Sequence, residues 1–333
     1  LFNTQELSSQ FVSAADALKG ITVPKGFKVQ LSAAEPAVQQ PIAMAWDSRG
    51  RLWVAECYTY ANSQLQFDTR MKDRILIFED TNSDGVLDRR KVFWDKGSHI
   101  AGIEVGFGGV WVAAAPSILF IPDRNRDDVP DGEPEVLLDG FDSDRVRHNV
   151  VNGLRWGPDG WLYGRHGILA TSHIGKPGAP AADRVKMNCG IFRYHPVTEA
   201  FDVVAEGTTN PWGHDWDEHG QLFFINTVIG HLWHAVPGAR YQRMYGNHFD
   251  KHLYELIQQT ADHYHFDVGK EKWSDLKKTG MTSGTDAAGG GHAHTGMMIY
   301  LGDNWPAEYR GNVFTLNLHG LRMNQESQIL PIH

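Results

Sequence analysis

Cysteine is nearly absent from this chain, with Cys57 and Cys189 the two among 333 residues. Two thiols so far apart in sequence make neither a disulfide framework nor a CxxC metal or haem motif. They read as small buried hydrophobes, with a bridge between them left open. No run of about 18 apolar residues occurs, so no membrane-spanning helix is expected. Nor does any stretch gather basic residues. Lys and Arg number 31 against 40 Asp and Glu, a formal net charge of -9, which argues against a nucleic-acid backbone as partner. The chain opens on Leu1, with no basic n-region or apolar h-region. That fits a leader already removed and an exported protein, periplasmic or extracellular.

What is present points to a sizeable core. Hydrophobic residues make up 41% and aromatics 11%, including 11 Trp, while charged residues stand at 21%, so a disordered chain is excluded. A single domain over residues 1–333 is expected, because all-β folds built by repetition keep growing where a one-core domain would split.

One short phrase recurs. It reads AMAWDSRGRLWVAE (43–56), IEVGFGGVWVAA (103–114), LRWGPDGWLYGR (154–165) and HDWDEHGQLFFIN (214–226). Each is an alternating apolar strand, a turn closed by Gly50, Gly109, Gly160 or Gly220, and a second strand. The glycines are 59, 51 and 60 residues apart, a period that suits four-stranded propeller blades with loops of unequal length. A further strand follows each phrase: RILIFED (74–80), SILFIPD (117–123), GIFRYHP (190–196) and HLWHAVP (231–237). A fifth unit spans 296–320, and GFKVQLSAAEP (26–36) supplies one more strand that could pair with a C-terminal blade. The expected fold is therefore an all-β propeller of about six four-stranded blades, incomplete at its C-terminal end, with short helical insertions.

Two segments break the pattern. Residues 1–25 form a lead-in with a short amphipathic helix over 5–19. Residues 241–291 form an insertion with a helix over 250–263 and a Gly-rich loop over 282–291. Long insertions of this kind often cover a binding face.

Two acidic turns have the spacing of calcium loops. DTNSDGVLD places Asp80, Asn82, Asp84 and Asp88 at alternating positions around Gly85, and alternate side chains can converge their oxygens on a hard cation. Lys91 stands where an EF-hand has its bidentate Glu. The next turn, DRNRDDVPD, offers Asp123, Asn125, Asp127 and Asp131, with Asp128 in the glycine's place. Solvated Asp/Asn hairpin turns have the same composition without a metal.

Taken in order, GFKVQLSAAEP, HNVVNGLRWGPDGWLY, TNPWGHDWDEHGQLF and GHAHTGMMIYLGDNWPAEYRGNVFTLNLHGLR resemble the glucose/sorbosone dehydrogenase superfamily, six-bladed propellers that bind pyrroloquinoline quinone (PQQ). The likeness is greatest to the N-terminal propeller of planctomycete-type membrane-bound dehydrogenases. It implies an oxidoreductase that oxidises a sugar or similar alcohol and passes hydride to a quinone-type acceptor. It also implies a c-type cytochrome domain or protein as onward electron acceptor, although no CxxCH occurs in this chain. The resemblance makes His148 the candidate base, a role that suits an imidazole near neutral pH. It groups Asn149, Asn152, Asn210, His294, His319 and Arg322 as cofactor-binding candidates at the propeller mouth.

The chain departs from that family in places. His148 stands nine residues ahead of Gly157, one more than in the family pattern. Thr209-Asn210-Pro211 replaces Arg-Asn-Pro, removing a cation expected to contact quinone and developing alkoxide. Weak quinone affinity follows from that loss. Two other classes stay open: a metal- or His-dependent carbohydrate-cleaving propeller, favoured by 17 histidines, and a non-catalytic glycan binder using Trp156, Trp161, Trp212 and Trp305 as stacking surfaces. Pairs such as His263/His265 and His292/His294 would share one face of a strand, and with His148, His166, His214 and His319, each next to a glycine turn or strand end, they could form a polar funnel or a metal site.

Overall fold

The computed structural model describes residues 12–62, 64–144, 146, 148–149, 151–227, 231–249, 256–258, 260, 294–318 and 322–326. Its contacts divide the chain into two compact units, Leu1–Asp139 with Ser143–Arg147, and Gly140–Asp142 with His148–His333.

The first unit begins with α1 (Ala14–Lys19), capped by Ser13, whose Oγ accepts the Asp16 amide at 3.1 Å. Two antiparallel four-stranded sheets follow. One runs in order through β1 (Pro41–Trp46), β2 (Leu52–Glu56), β3 (Asp73–Glu79) and β4 (Arg89–Gly97); the other through β5 (Ile100–Gly106), β6 (Gly109–Ala114), β7 (Ser117–Pro122) and β8 (Glu135–Leu138). Central strands are apolar on both faces, as burial on both sides requires; β6 is buried at every position. The two sheets share one core, in which Trp53, Ile75, Phe93, Ile103, Val112 and Ile121 meet. Trp53 and Phe93 pack edge to face at 4.9 Å.

Among its described residues the second unit carries three larger sheets and one two-stranded ribbon. The first consists of β9 (Val151–Trp156), β10 (Leu162–His166), β13 (Gly190–Tyr194) and β14 (Phe201–Thr208), joined along its outer edge by parallel β18 (Arg240–Arg243) and β19 (Leu256–Ile257). A small ribbon, β11 (Ser172–Ile174) with β12 (Val185–Met187), lies between β10 and β13 in sequence. The other two sheets are β15 (Pro211–Trp216), β16 (Leu222–Asn226) and β17 (Leu232–Ala235), and β20 (His294–Ile299), β21 (Val313–Asn317) and β22 (Arg322–Glu326). Tyr163, Trp216, Phe224 and Tyr241 share one core cluster; Phe223, Ile225, Met297 and Val313 share a second.

The recurring phrases are thus the first and second strands of successive blade-like sheets, and the four strands expected after them are the third strands. Gly50, Gly160 and Gly220 sit at φ +74°, +79° and +76°, the left-handed turn position that favours glycine. In the second sheet the turn falls on Phe107 and Gly108, both at positive φ, the requirement of a two-residue I′ hairpin. Gly109, expected to close that turn, already belongs to β6.

Three expectations are corrected. Residues 26–36 form no strand; they lie against the β3–β4 turn, where Gln30 Nε2 donates to Asp84 O at 2.6 Å and Ser32 Oγ to Gly85 O at 2.8 Å. A segment held by a turn cannot also pair with a blade edge. The helix expected over 250–263 is replaced, where that segment is described, by β19, because Leu256 and Ile257 pair with Arg240 and Tyr241. The helix expected over 5–19 is helical only over Ala14–Lys19 among its described residues. The Gly-rich loop, His263, His265 and His292 lie outside the described residues.

Each innermost strand breaks register once, close to its start. The breaks fall between Pro41 and Ala43, Ile100 and Gly102, Pro211 and Gly213, and Thr295 and Met297, and in β9 at Gly153. Such bulges bend a strand and re-aim neighbouring side chains.

Candidate functional site

In the second unit the candidate residues gather where β9, β15 and β20 begin, and backbone bonds tie those three strand starts together. Asn149, buried just before β9, accepts the Leu169 amide on Oδ1 at 2.7 Å. Ile168, next to Leu169, donates its N–H to Thr209 O at 3.0 Å. Asn210 follows: its N–H donates to Asn226 Oδ1 at 3.1 Å, and its carbonyl accepts the Thr227 amide at 3.0 Å. Thr227 Oγ1 then donates to His294 O at 3.0 Å, and the His294 ring nitrogen Nδ1 lies 3.0 Å from Thr315 Oγ1. One chain of hydrogen bonds therefore runs through Asn149, Thr209, Asn210 and His294, residues far apart in sequence.

Most of this layer is polar and buried. Asn152, Asn226 and Asn317 are at most 2% exposed, and His294 is 1% exposed with its ring centroid 4.2 Å from that of His231. Buried polar groups at this density persist because they bond to one another. Asn210 Oδ1 takes the Trp212 indole N–H at 2.9 Å, so Trp212 is oriented by the site itself. His148, by contrast, is exposed at the mouth of β9. Arg322 opens β22 opposite Asn317. His319 lies outside the described residues.

His166, one of the strand-end histidines expected in a polar funnel or metal site, lies at the end of β10, is fully buried and is bonded at both ring nitrogens. Its Nδ1 is 2.7 Å from the Gly167 carbonyl, which can only accept, so Nδ1 carries the proton. Nε2 then accepts from Ser172 Oγ at 2.7 Å. Burial pushes the His166 pKa down to about 4, and the ring stays neutral. Arg165 and His214, also in this unit, carry unspent polar capacity. Arg165 is the last residue of the recurring phrase LRWGPDGWLYGR, where the pattern marks it only as a strand residue.

The acidic turns use their oxygens on their own amides. Asp80 accepts Asp84 N at 3.2 Å and Gly85 N at 2.8 Å; Asp123 accepts Asp127 N at 3.1 Å and Asp128 N at 3.2 Å. Asn82 and Asn125 accept the amides of Asp84 and Asp127, and Asp88 and Asp131 close the turns onto Thr81 and Arg124. The two turns share this pattern of bonds, and the first adds Asn82 N to Asp80 Oδ1 and Thr81 Oγ1 to Asp88 Oδ2. Among the described residues no three His, Cys, Asp or Glu side chains converge as metal ligands.

The tryptophans expected as stacking surfaces are engaged locally: Arg193 lies 4.3 Å over Trp161, and Trp305 stacks on Tyr300 at 4.6 Å. Cys57 and Cys189 are free, buried thiols, each pushed up to about 12 by burial. The first unit holds a cavity of about 490 Å³ between residues 30–33 and β1, lined by Leu31, Ala33, Met44 and Val54, which is apolar and contains none of the candidate residues. No helix among the described residues is long and apolar enough to cross a membrane.

The model of a family described as Domain of unknown function (DUF7133) matches residues 13–320. Among solved structures, a protein assigned as an oxidoreductase (glucose dehydrogenase) from Thermus thermophilus is 15% identical, with 88% of this chain and 84% of that one covered and a TM-score of 0.50. The PQQ-bound form of an aldose sugar dehydrogenase from Streptomyces coelicolor is 16% identical, with 87% and 81% covered and a TM-score of 0.50. At such identities the likeness establishes the fold, the β-propeller of the sugar dehydrogenases. No curated protein matches the chain in sequence.

Proposed function

The chain belongs to the DUF7133 family, and from that membership and the shared fold we propose that it is an oxidoreductase acting on a sugar or similar alcohol, with a quinone-type hydride acceptor. The observation that carries this reading is the hydrogen-bond chain through Asn149, Thr209, Asn210 and His294, which ties together the ends of three successive inner strands beside an exposed histidine. Rigid elements holding polar groups around one accessible imidazole are what a proton-transfer site requires.

His148 is the base: a ring nitrogen would take the hydroxyl proton of the alcohol while its carbon is oxidised. Asn149 and His294 are fixed by their backbone and Thr315 partners, so little reorganisation accompanies the transfer. The donor set fits a quinone in part. Asn152, His294 and Arg322 would hold it, whereas Thr209 supplies no cation and its carbonyl is already taken by Ile168. When bound, the quinone supplies the two-electron acceptor. Calcium is proposed at the Asp80–Asp88 turn, where carboxylate oxygens that accept one amide retain a further lone pair.

Titration with PQQ plus calcium, followed by dye reduction across a panel of aldoses, tests this reading. Quinone binding with sugar-dependent reduction is expected. An absence of both with folded protein overturns it.

A further inference from the structure

The second unit holds a charge cluster that the proposed base does not use. Arg165 lies on β10 opposite Asn152, to whose Oδ1 its Nε donates at 2.9 Å. Its guanidinium fills the place where β9 would carry a side chain: a Cβ built on Gly153 would fall 1.4 Å from Nη2. Gly153 sits at φ +52° in the β9 bulge, so glycine serves both the backbone turn and the guanidinium's seat. No carboxylate of the described residues pairs with Arg165. Burial and the like charge of Arg155 together bring its pKa down to about 9.

The neighbouring charges do not relieve it. Arg155 spends its own charge on Asp215, Nη2 to Oδ1 at 3.1 Å. Asp215 is further occupied by the amides of Trp216 and Ile299, both at 2.9 Å. His214, beside it on β15, is 2% exposed, and neither of its ring nitrogens has a hydrogen-bond partner among the described residues. The His214 ring lies 6.4 Å from that of Tyr163, which strand alternation along β10 puts on the same face as Arg165. Burial first, then Arg165 and Arg155, hold this imidazole neutral, with one N–H unspent.

A buried orphan donor and an uncompensated cation each destabilise a fold, and a bound anion would relieve both. A carboxylate suits them, since its two oxygens match the guanidinium fork and can accept an imidazole N–H as well. We propose that Arg165 and His214 form a binding site for the carboxylate group of a ligand. This chemistry does not require the oxidoreductase reading, because the carboxylate could belong to a carboxylated quinone or to an acidic sugar.

Calorimetric titration of the wild-type chain with glucuronate and, separately, with PQQ tests the site, with glucose as the uncharged control. At least one acid is expected to bind. Arg165→Met is expected to weaken that acid about tenfold or more, the loss for a hydrogen bond to a charged group. Its ligand-free melting temperature is expected close to that of wild type, the removed unpaired charge offsetting the donor lost by Asn152 Oδ1. If it fails to fold, His214→Phe supplies the same two readouts. Binding of glucuronate alone assigns the site to an acidic sugar, and of PQQ alone to a quinone. Binding of neither, or unchanged affinity in both variants, overturns the proposal. Acid binding without sugar-dependent dye reduction would leave this site standing and remove the oxidoreductase reading.

Discussion

Arg51 and Asp128 face each other fork to fork between the two sheets of the first unit, with Nη1 and Nη2 each 2.7 Å from a carboxylate oxygen. Arg51 also donates from Nε to Asp47 at 2.8 Å, and Arg49 adds a second cation on Asp128 at 2.8 Å. Asp128 holds φ +66° where the equivalent turn has Gly85, so a non-glycine residue accepts left-handed strain to make this pair.

Asp128→Ala should therefore cost about 2–4 kcal/mol, because the Arg51 side chain is largely buried and keeps only Asp47. Asp128→Gly loses the pair but relieves the backbone and should cost about 1 kcal/mol less. Equilibrium urea unfolding reads both, and equal stability of wild type and Asp128→Ala would show that the pair contributes nothing. The Arg51 bonds hold the Asp128 pKa below its ordinary 3.8, so this contribution is present above that value and is lost as pH falls through the lower folded one.

His166 sets a different acid limb. Its folded pKa of about 4 lies below the ordinary 6.5, so the unfolded chain takes up a proton first as pH drops. Stability is unaffected above pH 6.5 and declines between there and about 4, by roughly 3 kcal/mol for this group. His166→Gln should flatten the melting temperature over that window. A slope identical to wild type would mean that His166 ionises in the folded state.

His148→Ala should lower sugar-dependent dye reduction about 10²-fold or more through kcat, with little change in melting temperature, because the side chain is exposed. Activity within a few-fold of wild type would assign the base to another residue.

If the Asp80–Asp88 turn takes calcium, a chelator lowers the melting temperature and added calcium restores it. Asp84→Ala should abolish that response. A wild-type chain that melts identically with chelator and with calcium has no such site.

Much of the fold is legible in sequence because a strand needs only local information: the period-two pattern of RILIFED or GVWVAA and the left-handed glycines of the turns are properties of neighbouring residues. Spacing also located the two acidic turns and their equivalence. Residues 26–36 were misread because an extended apolar segment looks like a strand whether or not an edge is free to receive it, and Gln30 and Ser32 instead found carbonyls in a turn. The site divides along the same line. His148, Asn149, Asn210 and His294 were named from ordered motifs, but the bonds from Thr209 to Ile168 and from Thr227 to His294 exist only once separate sheets are packed together. Arg165 closes the phrase LRWGPDGWLYGR and His214 opens HDWDEHGQLFFIN, and nothing in either phrase marks the two as a pair. Their importance lies in what is missing around them among the described residues, a counter-ion and a hydrogen-bond partner, and such a deficit arises only when the tertiary structure fixes which groups can reach one another.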